Sequence, residues 1–178
     1  MDKISSRKTL WIVGMMGAGK STVGPVLAKN LGMGFVDSDR EIERREGKSI
    51  PQIFAERGER GFRLAEFKAI EELVGKGLVV ALGGGAIAEE EMPQFLSSTG
   101  TVIYLVAKPE TLIRRIASDS GRPLLSGLDD EERREVLDKL LRQRGSSYET
   151  ASVRVSTDGL NPLQIARKVE EKLERRKL

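Results

Sequence analysis

The sequence predicts an α/β fold in which a five-stranded parallel sheet lies between two layers of helices. Short apolar runs alternate with stretches of helical periodicity along the 178 residues, at 9–13, 34–36, 78–82, 101–106 and 152–155. The runs 78–82 and 102–106 are almost continuously apolar, which is typical of strands that helices cover on both faces. Strands that alternate with helices form parallel sheets through right-handed crossovers.

The first predicted strand leads into the segment Gly14 to Thr22, which reads GMMGAGKST. The spacing G-x-x-x-x-G-K-[ST] between a strand and a helix is typical of a phosphate-binding P-loop. Its backbone N–H groups and the helix dipole face the same anion. In such a loop Lys20 reaches the β- and γ-phosphates and Ser21 can ligate Mg²⁺. The alternative is a glycine-rich turn that merely joins a strand to a helix.

The helix after the P-loop contains one irregular residue. Val23, Leu27 and Leu31 recur about once per turn, but Pro25 lies past the first turn, where its ring crowds the Ser21 carbonyl. We therefore expect a local kink at Pro25 that leaves the phosphate-binding loop intact.

Composition excludes several kinds of chemistry. The chain has no cysteine and no histidine, which excludes disulfides and thiol catalysis and leaves a carboxylate or the substrate as general base. The 30 basic and 27 acidic residues are mixed along the chain and give a net charge of +3, which argues against a nucleic-acid partner. The apolar run 10–16 is too short to span a membrane. We expect a single-domain, monomeric, cytoplasmic protein with an anionic small-molecule substrate.

Two further strands end in residues that suit chemistry, Asp37-Ser38-Asp39 and Gly83-Gly84-Gly85. Ligands bind beyond the carboxyl ends of the strands in such sheets. Phosphoryl transfer needs an acid near Mg²⁺, so we expect Asp37 to act on the metal and Asp39 to face the acceptor. The alternatives are a cap on the next helix for the carboxylates and a plain turn for the glycines.

The segment between the second and third strands, 38–77, is too long for one crossover helix. Ser49-Ile50-Pro51 predicts a helix start, Gly58 a break, and 59–74 a second amphipathic helix. Arg63 and Glu66 share a face of that helix. We interpret this insertion as the place of the second substrate, with a solvated surface ion pair as the alternative.

A Ser/Gly-rich segment at 118–127 precedes the helix that Asp129 and Glu132 are expected to cap. We interpret it as a lid whose Arg122 neutralises charge on the transferring phosphoryl group; the alternative is a simple linker. Arg144 near the end of the next helix is either functional or an ordinary arginine that the helix dipole favours.

Together these motifs resemble the shikimate kinase family over nearly the full length. The resemblance implies a nucleoside monophosphate kinase-like P-loop NTPase fold, a single domain 1–178 with the P-loop at 14–22, a substrate-binding region at about 38–66 and a lid at about 118–129. It also implies transfer of the γ-phosphoryl group of ATP to the 3-hydroxyl of shikimate, with Mg²⁺, on the route to chorismate and the aromatic amino acids.

The resemblance also implies roles for individual residues. The catalytic set is Lys20, Asp39 and Arg122. The nucleotide would contact Gly17, Ala18, Gly19, Lys20, Ser21, Thr22, Arg115, Arg122, Asn161 and Pro162. Shikimate would contact Asp39, Phe54, Phe62, Arg63, Glu66, Gly83, Gly84, Gly85, Arg122 and Arg144. Ser21 and Asp37 would hold the metal.

Two other functions compete with this interpretation. One is a P-loop kinase for another small molecule, such as gluconate or a nucleoside monophosphate. The other is a nucleotide switch or an inactive kinase-like binding protein, although the guanine signature N-K-x-D is absent from the sequence.

Overall fold

The computed structural model describes residues 8–117 and 128–176. Its core is a five-stranded sheet in the order β2-β3-β1-β4-β5, in which every neighbouring pair is parallel. The strands are β1 Thr9–Val13, β2 Gly34–Asp37, β3 Leu78–Ala81, β4 Gly100–Val106 and β5 Val153–Ser156. The predicted fold class is confirmed, and the strand bounds differ from the prediction by one residue at most.

Seven α-helices accompany these strands in the described part of the chain, the last of them after β5. They are α1 Lys20–Leu31, α2 Ser38–Glu46, α3 Ile50–Glu71, α4 Met92–Thr99, α5 Pro109–Ala117, α6 Asp130–Glu149 and α7 Pro162–Arg175, with a 3₁₀ turn at Ala86–Ala88 before α4. The predicted cap of α6 is confirmed, because the Asp129 carboxylate accepts from the Glu132 N–H while the Glu132 carboxylate accepts from the Asp129 N–H.

Helices cover both faces of the sheet. On one side α1 packs against α7 and β3, while α7 packs against β5. On the other side α4 packs against β4, and both α4 and α6 contact the 3₁₀ turn. The central strand β1 is buried at every residue, and Trp11 pairs with Val80 on one side and Val102 on the other. This arrangement explains why the strands are apolar on both faces.

The insertion between β2 and β3 differs in detail from the prediction. Gly58 has φ 65° and ψ −176°, so the expected break lies within α3 as a kink that separates two helical halves. The second half ends at Glu71 rather than at residue 74. The separate helix α2 entered the prediction only as the helix that the carboxylates of 37–39 would cap in the alternative interpretation, without bounds. It packs on α3 through a small apolar cluster of its own, Ile42, Ile53, Phe62 and Ala69.

Helix α1 runs without interruption from Lys20 to Leu31 with Pro25 inside it. The proline therefore does not end the helix, and the local kink stays a prediction. Within residues 8–117 and 128–176, no helix is long and apolar enough to cross a membrane.

Candidate active site

The P-loop joins β1 to α1 as the sequence predicts. Gly19 caps α1 with φ 98°, in the left-handed region that residues with a Cβ rarely adopt. The Thr22 N–H bonds the Gly19 carbonyl at 3.1 Å, so the helix begins directly at the motif. The ammonium of Lys20 donates to the carbonyl oxygens of Gly14 at 2.8 Å and Met15 at 3.2 Å. Its charge thus lies over the loop that would receive the phosphates.

The two residues predicted to hold the metal lie together. Ser21 Oγ donates a 2.7 Å hydrogen bond to Asp37 Oδ2. The other carboxylate oxygen of Asp37 accepts from the N–H groups of Asp39 at 3.1 Å and Arg40 at 3.4 Å. Asp37 therefore caps α2, as the alternative interpretation expects, and also faces the P-loop through Ser21. Its role toward the metal stays a prediction.

This oxygen pair fits Mg²⁺. Magnesium keeps several waters and binds through one or two protein oxygens plus substrate phosphates rather than in an all-protein cage. Accordingly, residues 8–117 and 128–176 contain no cluster of three or more His, Cys, Asp or Glu side chains suited to a metal. Ser21 and Asp37 supply the hydroxyl and carboxylate oxygens that such a site requires.

The glycine turn after β3 lies against the side chain of Asp39. A Cβ on Gly83 would come within 2.5 Å of Asp39 Oδ1, so a larger residue would displace the carboxylate from this position. The Gly83 N–H donates to Ser38 Oγ at 2.9 Å, which ties the turn to the start of α2.

The other two glycines of the turn contact arginines. A Cβ on Gly85 would come within 2.9 Å of Arg63 Nη2, and the Gly84 carbonyl accepts a 2.8 Å hydrogen bond from Arg144 Nη1. The turn is therefore more than a connection. Three consecutive glycines gather three polar side chains from α2, α3 and α6 around one piece of bare backbone.

Arg63 is held by a buried carboxylate. Its Nη1 lies 2.6 Å from Glu66 Oε2, and the Glu66 side chain is only 2% exposed, so the pair is not the solvated surface pair of the alternative interpretation. Glu89 Oε1 lies 3.1 Å from Arg63 Nε, yet this buried Nε makes no well-aligned hydrogen bond within the described residues. Glu59 Oε1 lies 3.6 Å from Arg63 Nη2, so three carboxylates of the described residues surround the guanidinium.

Burial raises the pKa of Asp39, and the nearby Asp37 carboxylate raises it further, while Lys20 and Arg63 act in the opposite direction. Burial also raises the pKa of Glu66, against the attraction of Arg63. A carboxylate with a raised pKa holds a proton more tightly, which suits a general base.

An aromatic pair stands beside this cluster. The rings of Phe54 and Phe62 stack with centroids 4.5 Å apart. Phe62 is buried, whereas Phe54 is 37% exposed. The Arg63 guanidinium lies 5.3 Å from the centre of the Phe62 ring, so the pair forms an apolar wall next to the arginine.

On the nucleotide side, Arg115 joins the P-loop to the loop after β5. Its Nη1 donates to the Gly17 carbonyl at 3.2 Å and, at a long 3.5 Å, to that of Ala18, and its Nη2 donates to the Thr157 carbonyl at 2.8 Å. Asn161 and Pro162 begin α7, where the Asn161 side chain accepts from the Gln164 N–H.

A model of the family described as shikimate kinase matches residues 16–174. The chain belongs to the shikimate kinase family. A shikimate kinase of Persephonella marina is 43% identical over 163 residues, which cover 91% of this chain and 96% of that protein. ATP-dependent phosphorylation of shikimate is the activity of this family.

Solved shikimate kinases share the fold. The structure of shikimate kinase from Acinetobacter baumannii in complex with shikimate superposes with a TM-score of 0.88 at 40% identity and covers 96% of this chain and 95% of that chain. A gluconokinase from Sinorhizobium meliloti superposes with a TM-score of 0.63 at 20% identity, covering 95% of this chain and 93% of that chain. That second likeness shows the fold alone.

In this member of the shikimate kinase family, most of the predicted site residues lie at one edge of the sheet, beyond the carboxyl ends of the strands. Arg122 lies outside the described residues, so its role stays a prediction. Four of the contacting residues described above had no predicted role: Ser38, Glu89, Thr157 and Tyr148. For Tyr148 the available signal was its position four residues after Arg144, which puts both side chains on one helix face.

Proposed function

We propose that this chain transfers the γ-phosphoryl group of ATP to the 3-hydroxyl of shikimate, giving ADP and shikimate 3-phosphate. The observation that carries the proposal is the glycine turn, which gathers Asp39, Arg63 and Arg144 beside the P-loop. A Cβ on Gly84 would be 3.7 Å from the P-loop nitrogen of Met16. Groups suited to a polyhydroxy acid thus stand next to groups suited to phosphates.

The acceptor is recognised by charge and by hydroxyl contacts. Shikimate is a small ring with one carboxylate and three hydroxyls. The guanidinium groups of Arg63 and Arg144 suit the carboxylate, because a planar fork can donate two parallel hydrogen bonds to it. Asp39 suits the hydroxyls, and Phe54 and Phe62 give the ring an apolar wall.

Asp39 is the group that accepts the proton of the attacking hydroxyl. Its raised pKa favours proton uptake. A strong base is not required, because the transition state of phosphoryl transfer is loose. Glu66 keeps Arg63 in place through the 2.6 Å contact. The substrate carboxylate would replace the exposed carboxylates of Glu59 and Glu89, which lie 3.6 Å and 3.1 Å from the guanidinium.

The donor side stabilises the charge of the transferring group. Lys20 and the N–H groups at the start of α1 face the β- and γ-phosphates. Ser21 and Asp37 would hold Mg²⁺, which when bound neutralises charge on the phosphate oxygens. Arg115, Asn161 and Pro162 lie where the nucleotide base would pack, and Arg122 would contact the phosphoryl group.

The proposal extends to the organisation of the protein. It treats 1–178 as one domain, with a substrate-binding region at about 38–66 and a lid at about 118–129. We expect a monomer in the cytoplasm, where ATP is available. Size-exclusion chromatography and cell fractionation test these two points.

The test is ADP formation with a panel of acceptors. We expect shikimate to stimulate ADP release from ATP and Mg²⁺, and gluconate and nucleoside monophosphates to give only the rate measured without acceptor. Equal stimulation by gluconate, or none by shikimate, would reject the proposal.

A further inference from the structure

Tyr148 shares its hydrogen-bond acceptor with Arg144. The Tyr148 hydroxyl donates to the Gly84 carbonyl at 3.1 Å, and Arg144 Nη1 donates to the same oxygen at 2.8 Å. The two side chains leave α6 one helical turn apart. Tyr148 is completely buried, so it is outside the reach of substrate and acts through the turn and through its contact with Arg144.

The ring of Tyr148 is fixed in place. It stacks on Tyr104 of β4 with centroids 4.7 Å apart and planes 8° apart. Burial raises the pKa of Tyr148 to about 12, so the hydroxyl keeps its proton at physiological pH. The hydroxyl is therefore a permanent donor held at a fixed place between the sheet and the glycine turn.

Resting on the function proposed above, we propose that the Tyr148 hydroxyl is a positioning group for the acceptor site. A carbonyl oxygen has two lone pairs, and Tyr148 and Arg144 occupy both at Gly84. This fixes the orientation of the peptide whose neighbours, Gly83 and Gly85, lie against Asp39 and Arg63.

Arg144 alone cannot do both tasks well. Its remaining N–H groups are needed for the substrate carboxylate, so any movement of its guanidinium toward the ligand would also pull on the turn. With Tyr148 holding the same oxygen, the turn stays in place while Arg144 engages the ligand. Preorganisation of this kind lowers the cost of binding.

Tyr148→Phe tests the inference, because it removes only the hydroxyl and keeps the stacked ring. We expect the KM for shikimate to rise about 3- to 10-fold, the range set by loss of one hydrogen bond. We expect kcat and the KM for ATP to change by less than about 2-fold. Tyr104→Phe, which removes the hydroxyl of the other ring in the stack, should leave all three constants unchanged.

A double variant separates positioning from general damage. The effects of Tyr148→Phe and Arg144→Ala on the KM for shikimate should combine to less than their product, because both act through Gly84. A merely structural role would instead raise both KM values, lower kcat and combine multiplicatively with Arg144→Ala.

The affinity for shikimate, measured by calorimetry without turnover, completes the test. Tyr148→Phe should weaken binding by the same factor as it raises KM. An active wild type with unchanged affinity in Tyr148→Phe overturns this inference and leaves the proposed function standing. A wild type that neither binds nor phosphorylates shikimate overturns both.

Discussion

Asp39 and Gly83 lie so close that a Cβ at position 83 would come within 2.5 Å of the Asp39 carboxylate. The close approach couples the backbone after β3 to the proposed base on α2. It also gives the glycine turn a defined role. The side chains of the acceptor site occupy the space that a side chain on the turn itself would need.

Gly83→Ala should displace Asp39 and lower kcat/KM for shikimate by about 10- to 100-fold, the cost of a misplacement of about 1 Å. Gly145→Ala is the matched control, because nothing lies within 4 Å of a Cβ at that helical position. It should leave the kinetics unchanged and stabilise the protein by about 0.5–1 kcal/mol. Steady-state kinetics and urea unfolding measure both, and a fully active Gly83→Ala would show that Asp39 need not stay where it is.

Arg63→Lys should raise the KM for shikimate about 10-fold or more while the KM for ATP stays unchanged. Lysine keeps the positive charge beside Glu66 but cannot form the planar two-donor fork. Arg60→Lys, on the exposed side of the same helix, is the control for changes to α3 itself. An unchanged KM for shikimate in Arg63→Lys would reject a bidentate carboxylate clamp at this residue.

Asp39→Asn should lower kcat by about 10²- to 10⁴-fold, the usual contribution of a general base, and should stabilise the protein at pH 7.5. The pKa of Asp39 is raised above its ordinary value of 3.8 in the folded state. The stability that its proton contributes is therefore complete below that value and is lost as the pH rises through the folded-state pKa.

The asparagine variant avoids this loss, so its urea midpoint should exceed that of the wild type at pH 7.5. The difference should shrink as the pH falls toward 3.8. Glu135→Gln, an exposed substitution on α6, should show no such pattern. A variant that is less stable than the wild type at pH 7.5 would contradict the raised pKa.

Asp37→Asn should raise the Mg²⁺ concentration for half-maximal activity roughly 10-fold or more, because it removes the charge beside Ser21. Stability should hardly change, since asparagine caps a helix as well as aspartate does. Magnesium titrations at saturating ATP measure the first expectation and thermal unfolding the second. An unchanged Mg²⁺ requirement would place the metal elsewhere.

The sequence predicts the parts of this protein that depend on local patterns. The apolar run at 9–13 coincides with β1, and the break at Gly58 coincides with a left-handed φ of 65°. The extent of helix α2 could not be predicted, because Ile42 is its only buried apolar residue. Its start was open to prediction as a cap at Asp37, but its packing against α3 exists only in the folded chain.

The contacts of the site likewise fall into those that the sequence predicts and those that it does not. The proximity of Ser21 and Asp37 could be predicted, because each follows a strand and the strand ends meet at one edge. The contacts of Gly84 with Arg144 and Tyr148 join residues 60 and 64 positions apart. No local pattern connects a glycine turn to a tyrosine hydroxyl at that distance, so the contact of Tyr148 with the turn is visible only in the structure.

The most direct test is to identify the product by ³¹P and ¹H NMR after the wild-type protein has consumed ATP in the presence of shikimate and Mg²⁺. The account predicts one new phosphomonoester, coupled to the proton on carbon 3 of the shikimate ring, in an amount equal to the ADP formed. ADP that accumulates with inorganic phosphate and no phosphorylated shikimate would contradict it.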